Sequence, residues 1–306
     1  HPRAFFDAVA GACEALPAVE GEIQHHAIGC YSVERRIKTA MRRAEAHLDQ
    51  AERTVRLLGT ADSASEAALE RAWKDVLFNQ FHDILGGTSL DGAGRRAAAE
   101  MEAAAGSGIR IAAEASRRAF RDRAEPGVHR IVVLNDAGEP FDGLIEHEPW
   151  LDMKGVDLAY AVCDESGEPV PLQLTAGEPM VKGASAALMR LTVPAHGTRW
   201  LTLAPGAAAD MPEAAADAPR IEGRVLSNGL LTARWGVEGI SVGGWDLRLQ
   251  LMDDPTDTWS HSARNRFDGE KIRDVAFQEP EPIEAGPLRA AWLARGTDPA
   301  PMVWWR

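Results

Sequence analysis

The spacing of apolar residues changes once along this chain, near "RDRAEPG" at 121–127, and that change restricts the fold more than any other feature. Before it, apolar side chains recur every three or four residues, the period of a helix with one buried face. After it they alternate or run in short β-branched stretches, the period of strands. A chain that is helical first and stranded afterwards builds an α+β fold. Here the pattern gives an antiparallel three-helix bundle followed by an all-β region of sandwich type.

The helical part divides at its caps. Val33, Ile37, Ala40, Met41, Ala44, Leu48, Ala51, Val55 and Leu58 form one stripe, with arginines and glutamates mostly opposite, and Gly59 stands where a C-terminal cap is expected. A second helix starts at "SASE", with Ser63 as N-cap and Glu66 completing a capping box. Its apolar face is Leu69, Ala72, Trp73, Val76 and Leu77. A third runs from Thr88 or Ser89 to Phe120, with Asp91 in its first turn. Gly92, Gly94, Gly106 and Gly108 each weaken it by about 1 kcal/mol relative to Ala, so it depends on packing and would break near Gly106.

Beyond the switch, "RIVVLN", "GLIEHE", "LAYAVCD", "VPLQLT", "ALMRLTVP" and "TRWLTLAP" are of strand length and separated by turn formers. In the fifth, Met189, Leu191 and Val193 share one face while Arg190 and Thr192 take the other, the pattern of a half-buried antiparallel strand. "GAAADMPEAAADAP" at 206–219 is of low complexity and reads as a surface linker. Asn228-Gly229 signals a hairpin. The organisation expected is 1–30 as the tail of a preceding domain, 31–122 as the bundle and 128–306 as the β region. The last ends on "PMVWWR", apolar area that asks for a partner, so the chain reads as cut at both ends.

Net charge is −13 and the basic residues are interleaved with acidic ones, which opposes nucleic-acid binding. No run approaches the roughly 20 apolar residues of a membrane span, and no basic-then-apolar leader opens the sequence. Cys13, Cys30 and Cys163 form no CxxC pair and read as buried small apolar residues in a reducing compartment, with the cytoplasm as the default. Assembly into an oligomer is compatible with all of this.

One stretch breaks the apolar logic. "VLFNQFHDIL" at 76–85 reads as a core-facing helix end, yet it carries His82 beside Asp83, followed by Gly86 and Gly87. A lone histidine is more often satisfied packing than a metal ligand, since a metal site needs three or four converging ligands and no HExxH pattern is present. The chemistry still permits a role: neutral imidazole is a common zinc ligand, and a neighbouring carboxylate can bind sugar hydroxyls or fix the ring tautomer.

"LFNQFHDILGGTS" closely resembles the "NQFHDILPG(S/T)S" signature of glycoside hydrolase family 38, the zinc-dependent α-mannosidases. "GEIQHHAIGCYSVERRIKTAMRRAEAHLDQAE", "VVLNDAGEPFDGLIE" and "DDPTDTWSH" are similar to other family segments, in the family's order. The resemblance implies a retaining hydrolase of terminal α-mannosides, with zinc as cofactor, His82 as one of four zinc ligands and Asp83 lining the sugar pocket. It also implies that residues 1–30 are the tail of a catalytic β/α barrel. That barrel would carry the nucleophile and the other zinc ligands, for which no matching motif stands in this chain. The chain alone would then be inactive. One departure is Gly86, where the family usually has Pro.

Other residues fit blander roles. His25-His26 are adjacent and diverge, so packing is favoured over chelation. Tyr31 reads as bundle core. "DDPTDTWSH" lacks the regular spacing of a calcium loop and reads as a turn over a buried Trp259. A competing reading from another class is a non-enzymatic carbohydrate- or protein-binding module, with Trp304 and Trp305 as a sugar-stacking platform.

Overall fold

The expected helical stripe is the stripe that is buried. In the computed structural model α2 (Arg35–Leu57), α3 (Ser63–Asn79), α4 (His82–Leu85) and α5 (Asp91–Phe120) follow α1 (Pro2–Val9). Ile37, Ala44 and Leu48 of α2, Leu69 and Val76 of α3, and Met101, Ala105 and Ile111 of α5 share one core. The structure describes residues 2–18, 20, 28–31, 33–148, 160–176, 185–205, 218–237, 239–252, 271–296 and 303–305. They fall in two units, one up to Val33 and one from Glu34 on. In the first, α1 passes into a 3-10 turn and a second 3-10 turn covers Ile28–Tyr31, where Tyr31 is exposed and not the core residue expected. Among the described residues no helix is long and apolar enough to cross a membrane.

The helix ends show which residues stop them. Gly59 (φ 62°) follows α2, its N–H donating to Arg56 O and that of Thr60 to Val55 O, the paired bonds of a Schellman stop. At α3 the capping box is one residue earlier than "SASE" suggests. Asp62 is extended, and its carboxylate accepts from Ser65 N–H at 2.7 Å while Ser65 Oγ accepts from Asp62 N–H. Those bonds, led by the Ser65 amide and joined by the Arg118 guanidinium, lower the Asp62 pKa to about 2. The expected break near Gly106 does not occur: α5 is continuous. Gly108 explains why glycine is present at all. A Cβ there would lie 2.6 Å from His47 O, so α2 passes too close for any side chain, whereas Gly106 has open space around it. Asn79, buried at the end of α3, donates to Asp75 O and across to Glu100 Oε2, each at 2.9 Å.

Sixteen described strands follow, all in antiparallel pairs. β1 (His129–Leu134), β2 (Phe141–His147), β3 (Tyr160–Cys163), β4 (Leu172–Ala176), β5 (Ser185–Val193) and β6 (Thr198–Pro205) make two three-stranded sheets, β1-β6-β3 and β2-β5-β4. Val162, Met189, Leu191, Val193, Leu201 and Leu203 pack between them, so these sheets form the sandwich that the period-two pattern implies.

A second pair of sheets has its own core. β7 (Arg220–Glu222), β8 (Val225–Ser227), β9 (Thr232–Gly236), β10 (Gly239–Val242) and β11 (Trp245–Leu247) form a meander. β12 (Gln250–Met252) pairs with β13 (Lys271–Asp274). β14 (Glu281–Ala285), β15 (Ala290–Ala294) and β16 (Val303–Trp305) form the last sheet. Trp235, Ile240, Phe277, Trp292 and Ala294 fill the space between meander and last sheet. The Asn228-Gly229 hairpin forms as expected: Gly229 takes φ 75° and Asn228 Oδ1 accepts from the Leu230 and Leu231 amides.

β5 departs from the half-buried pattern. Arg190 and Thr192 are exposed, but Ala186 and Leu188, on the same side, are buried. Leu188 lies in a cross-strand row with Glu146 and Gln173, and the polar members of that row hold the β14–β15 hairpin. Gln173 donates to Glu284 and to Arg289 O and accepts from the Leu288 and Arg289 amides. Arg289 in turn makes paired bonds to Glu146 and Glu284. The bundle meets the β region through Trp200, which has Phe120 edge-on at 5.2 Å and the Arg123 guanidinium over its face at 5.1 Å. The cysteines are free, as expected, but none is fully buried and Cys13 is exposed. His25-His26, "DDPTDTWSH" and residues 206–217 of the expected linker lie outside the described residues.

Candidate functional site

The stretch that raised the question is not one helix end. α3 stops at Asn79, Phe81 adopts an extended backbone (φ −54°, ψ 136°), and α4 restarts as a single turn carrying His82, Asp83, Ile84 and Leu85. Successive residues of a turn are about 100° apart, so positions 82 and 84, or 83 and 85, face nearly opposite ways. Ile84 and Leu85 pack against the bundle core. His82 and Asp83 are thereby turned outward, with side chains 76% and 54% exposed. The break at Phe81 is what lets costly polar groups follow an apolar run without entering the core.

Within the pair, His82 Nε2 stands 3.6 Å from Asp83 Oδ1, an ion-pair distance if the ring is protonated and too long for a hydrogen bond. The Phe81 ring lies beside the imidazole, centroids 4.2 Å apart and planes inclined by 44°. Leu77, Phe78, Phe81 and Leu90, which flank the pair in sequence, are exposed large apolar residues. This corrects the expectation that Leu77 belongs to the buried face. Its position one residue past Val76 rotates it away from α2 and α5, and periodicity blurs at such a boundary.

The loop after α4 is built to hold the turn. Gly87 takes φ 74°, a region that other residues adopt only with strain. Gly86, by contrast, sits at φ −65°, the angle a proline ring would impose, so the departure from the resembled signature keeps the backbone course. It also adds a donor, since Gly86 N–H bonds His82 O at 2.9 Å. Ser89 Oγ and Thr88 Oγ1 donate to Asp83 O at 2.7 and 3.2 Å. From α2, half-buried Lys38 donates through Nζ to Leu85 O at 2.9 Å. Lys38 was not legible as a neighbour of the motif, because nothing local relates residues so far apart in sequence.

Chemically, the arrangement offers one exposed imidazole and one exposed carboxylate side by side on a hydrogen-bonded turn. Among the described residues no group of three or more His, Cys, Asp or Glu side chains is placed to hold a metal ion. His82 is brought together with Asp83 and with Phe81.

A glycosyl hydrolase family 38 protein from Enterococcus faecalis has a similar fold, with a TM-score of 0.65 at 17% identity, over 95% of this chain and 39% of that one. An α-mannosidase from Enterococcus faecalis V583 is similar at a TM-score of 0.64 and 16% identity, with the same coverage. This chain thus spans about two fifths of the length of those structures. No curated protein sequence matches it. The family model described as the alpha mannosidase middle domain matches residues 25–118, the segment that contains α2 to α4 and nearly all of α5. Residues 25–118 of this chain are thus similar to an alpha mannosidase middle domain, and the chain as a whole shares its fold with the two Enterococcus faecalis structures.

Proposed function

We propose that this chain supplies the middle helical domain and C-terminal β region of a zinc-dependent, retaining α-mannosidase that hydrolyses terminal α-mannosides. His82 gives the zinc one ligand, and Asp83 accepts hydrogen bonds from hydroxyls of the mannose ring. The observation that carries this reading is the outward presentation of both groups on α4, beside exposed Phe81 and within the segment matched as an alpha mannosidase middle domain.

The residues fit a zinc site as one part of it. Neutral imidazole is a preferred zinc donor, and the exposed ring leaves its lone pair accessible. The remaining ligands, the nucleophile and the acid/base carboxylate come from a catalytic barrel that this chain does not supply. Bound zinc contributes Lewis acidity toward ring hydroxyls and favours distortion toward an oxocarbenium-like geometry. The role of Asp83 is to orient the sugar, and that of the apolar residues around the pair is to exclude water as the barrel covers them.

Two measurements test this. The chain alone, with zinc, is expected to leave an aryl α-mannoside unhydrolysed, because a single imidazole cannot hold the metal. In the complete hydrolase His82→Ala is expected to abolish both stoichiometric zinc and turnover. Retention of both would refute the assignment.

A further inference from the structure

A one-turn helix has no interior, so the donors to its carbonyls come from around it. α4 finds one for each. His82 O and Ile84 O take the Gly86 and Gly87 amides, each at 2.9 Å. Asp83 O takes the Ser89 and Thr88 hydroxyls. Leu85 O takes the Lys38 ammonium at 2.9 Å. The first three sets lie within the loop itself and would move with it. The fourth is anchored on α2, 47 residues earlier in the chain.

That difference matters for direction. Ile84 and Leu85 are only partly buried against the core, so apolar contact alone leaves the turn free to rock about its own axis. A hydrogen bond from a charged donor is directional and roughly twice as strong as a neutral one. Fixing Leu85 O to α2 fixes the rotation of the turn, and with it the opposite side, where His82 and Asp83 stand.

We infer that Lys38 is a positioning residue for the His82–Asp83 pair: its ammonium clamps the last carbonyl of α4 to α2 and so sets the direction in which imidazole and carboxylate point. This rests on the reading of His82 as a zinc ligand. Lys38 touches neither metal nor sugar in that reading and acts through the backbone of the turn. Groups that orient a ligand from behind in this way typically alter metal affinity by roughly ten- to a hundred-fold when removed.

The experiment uses the complete hydrolase carrying Lys38→Met, Lys38→Gln or Lys38→Arg, with His82→Ala in parallel. Zinc affinity is read by competition with a chromophoric chelator, and amide exchange is followed at residues 82–87. Lys38→Met and Lys38→Gln are expected to weaken zinc by roughly ten- to a hundred-fold and to speed exchange at Gly86 and Gly87, with the melting temperature of the zinc-free protein nearly unchanged. Lys38→Arg, which keeps a cationic donor, is expected to recover most of both. Wild-type zinc affinity in whichever of the Met and Gln variants folds, or failure of Arg to recover what they lose, overturns the clamp. If His82→Ala itself leaves zinc affinity intact, the zinc-ligand reading fails and the positioning role falls with it. A silent Lys38 series beside a defective His82→Ala removes the clamp alone.

Discussion

The bundle and the β region solve the same problem, burying apolar area in a modest chain, by opposite means. The bundle has one continuous core in which seven alanines alternate with eight larger side chains, and its helices approach until only glycine fits, as at Gly108. The β region has two separate cores, and what joins them is polar: Gln173, Arg289, Glu146 and Glu284. Close packing tolerates little added volume. A polar joint tolerates volume at its rim but not the loss of a partner. The two halves should therefore fail to different kinds of substitution.

The largest effect is expected at the polar joint. Gln173→Leu leaves the Leu288 and Arg289 amides without their acceptor, while Arg289 O keeps the Gly286 amide, and each unpaired buried group costs about 1–3 kcal/mol. A loss of about 3 kcal/mol in denaturant unfolding is expected. A loss below about 1 kcal/mol would mean that the hairpin is held by something else. Next comes overpacking in the bundle: Gly108→Ala drives a methyl against His47 O and should cost about 2 kcal/mol. Two residues away the sign reverses. Gly106→Ala meets open space and should raise stability by up to about 1 kcal/mol, by the helix propensity of alanine.

Two smaller effects sharpen the contrast. Asp62 has a folded pKa of about 2 against an ordinary 3.8, so its carboxylate favours the folded state above about pH 4, and that contribution is lost as pH falls toward 2. Asp62→Asn keeps an N-cap acceptor but should flatten the fall of the thermal midpoint in that window. A fall as steep as wild type would show that other carboxylates govern it. Smallest of all, His82→Ala should leave the melting curve of this chain without zinc unchanged within about 0.5 kcal/mol, because the exposed ring contributes nothing to the core. A larger loss would place the imidazole among the structural contacts of the bundle.

Much of the bundle was legible because each signal is local. The stripe from Ile37 to Val55, the stop at Gly59 and the turn at Asn228 all depend on residues within one or two turns of each other. Where neighbours compete, local reading misplaced the feature by one residue: Asp62 and Ser63 are both good caps, and the carboxylate at the extended position won. What joins distant segments was not legible. Arg190 and Thr192 made one face of β5 read as open, and the burial of Ala186 and Leu188 on that face was not legible, because the hairpin bonded to neighbouring Gln173 comes a hundred residues later. The motif drew attention to His82 and Asp83, but the break at Phe81 that turns them outward, and the Lys38 bond behind them, belong to three-dimensional packing.

Asn79 carries one more lesson. Helices faced with alanine are nearly smooth, and two of them can slide past each other by a turn with little change in contact. A carboxamide hidden in the seam removes that freedom. Shifted by one turn of about 5.4 Å, its amino group would leave Glu100 behind and come level with Arg96 or Ala104, neither of which has a side-chain acceptor, so the present alignment of α3 on α5 is the one that satisfies it. One side chain thus acts as the detent that indexes the bundle. The same stop fixes how far α3 extends before Phe81, and so how high on the bundle the outward-facing turn is displayed.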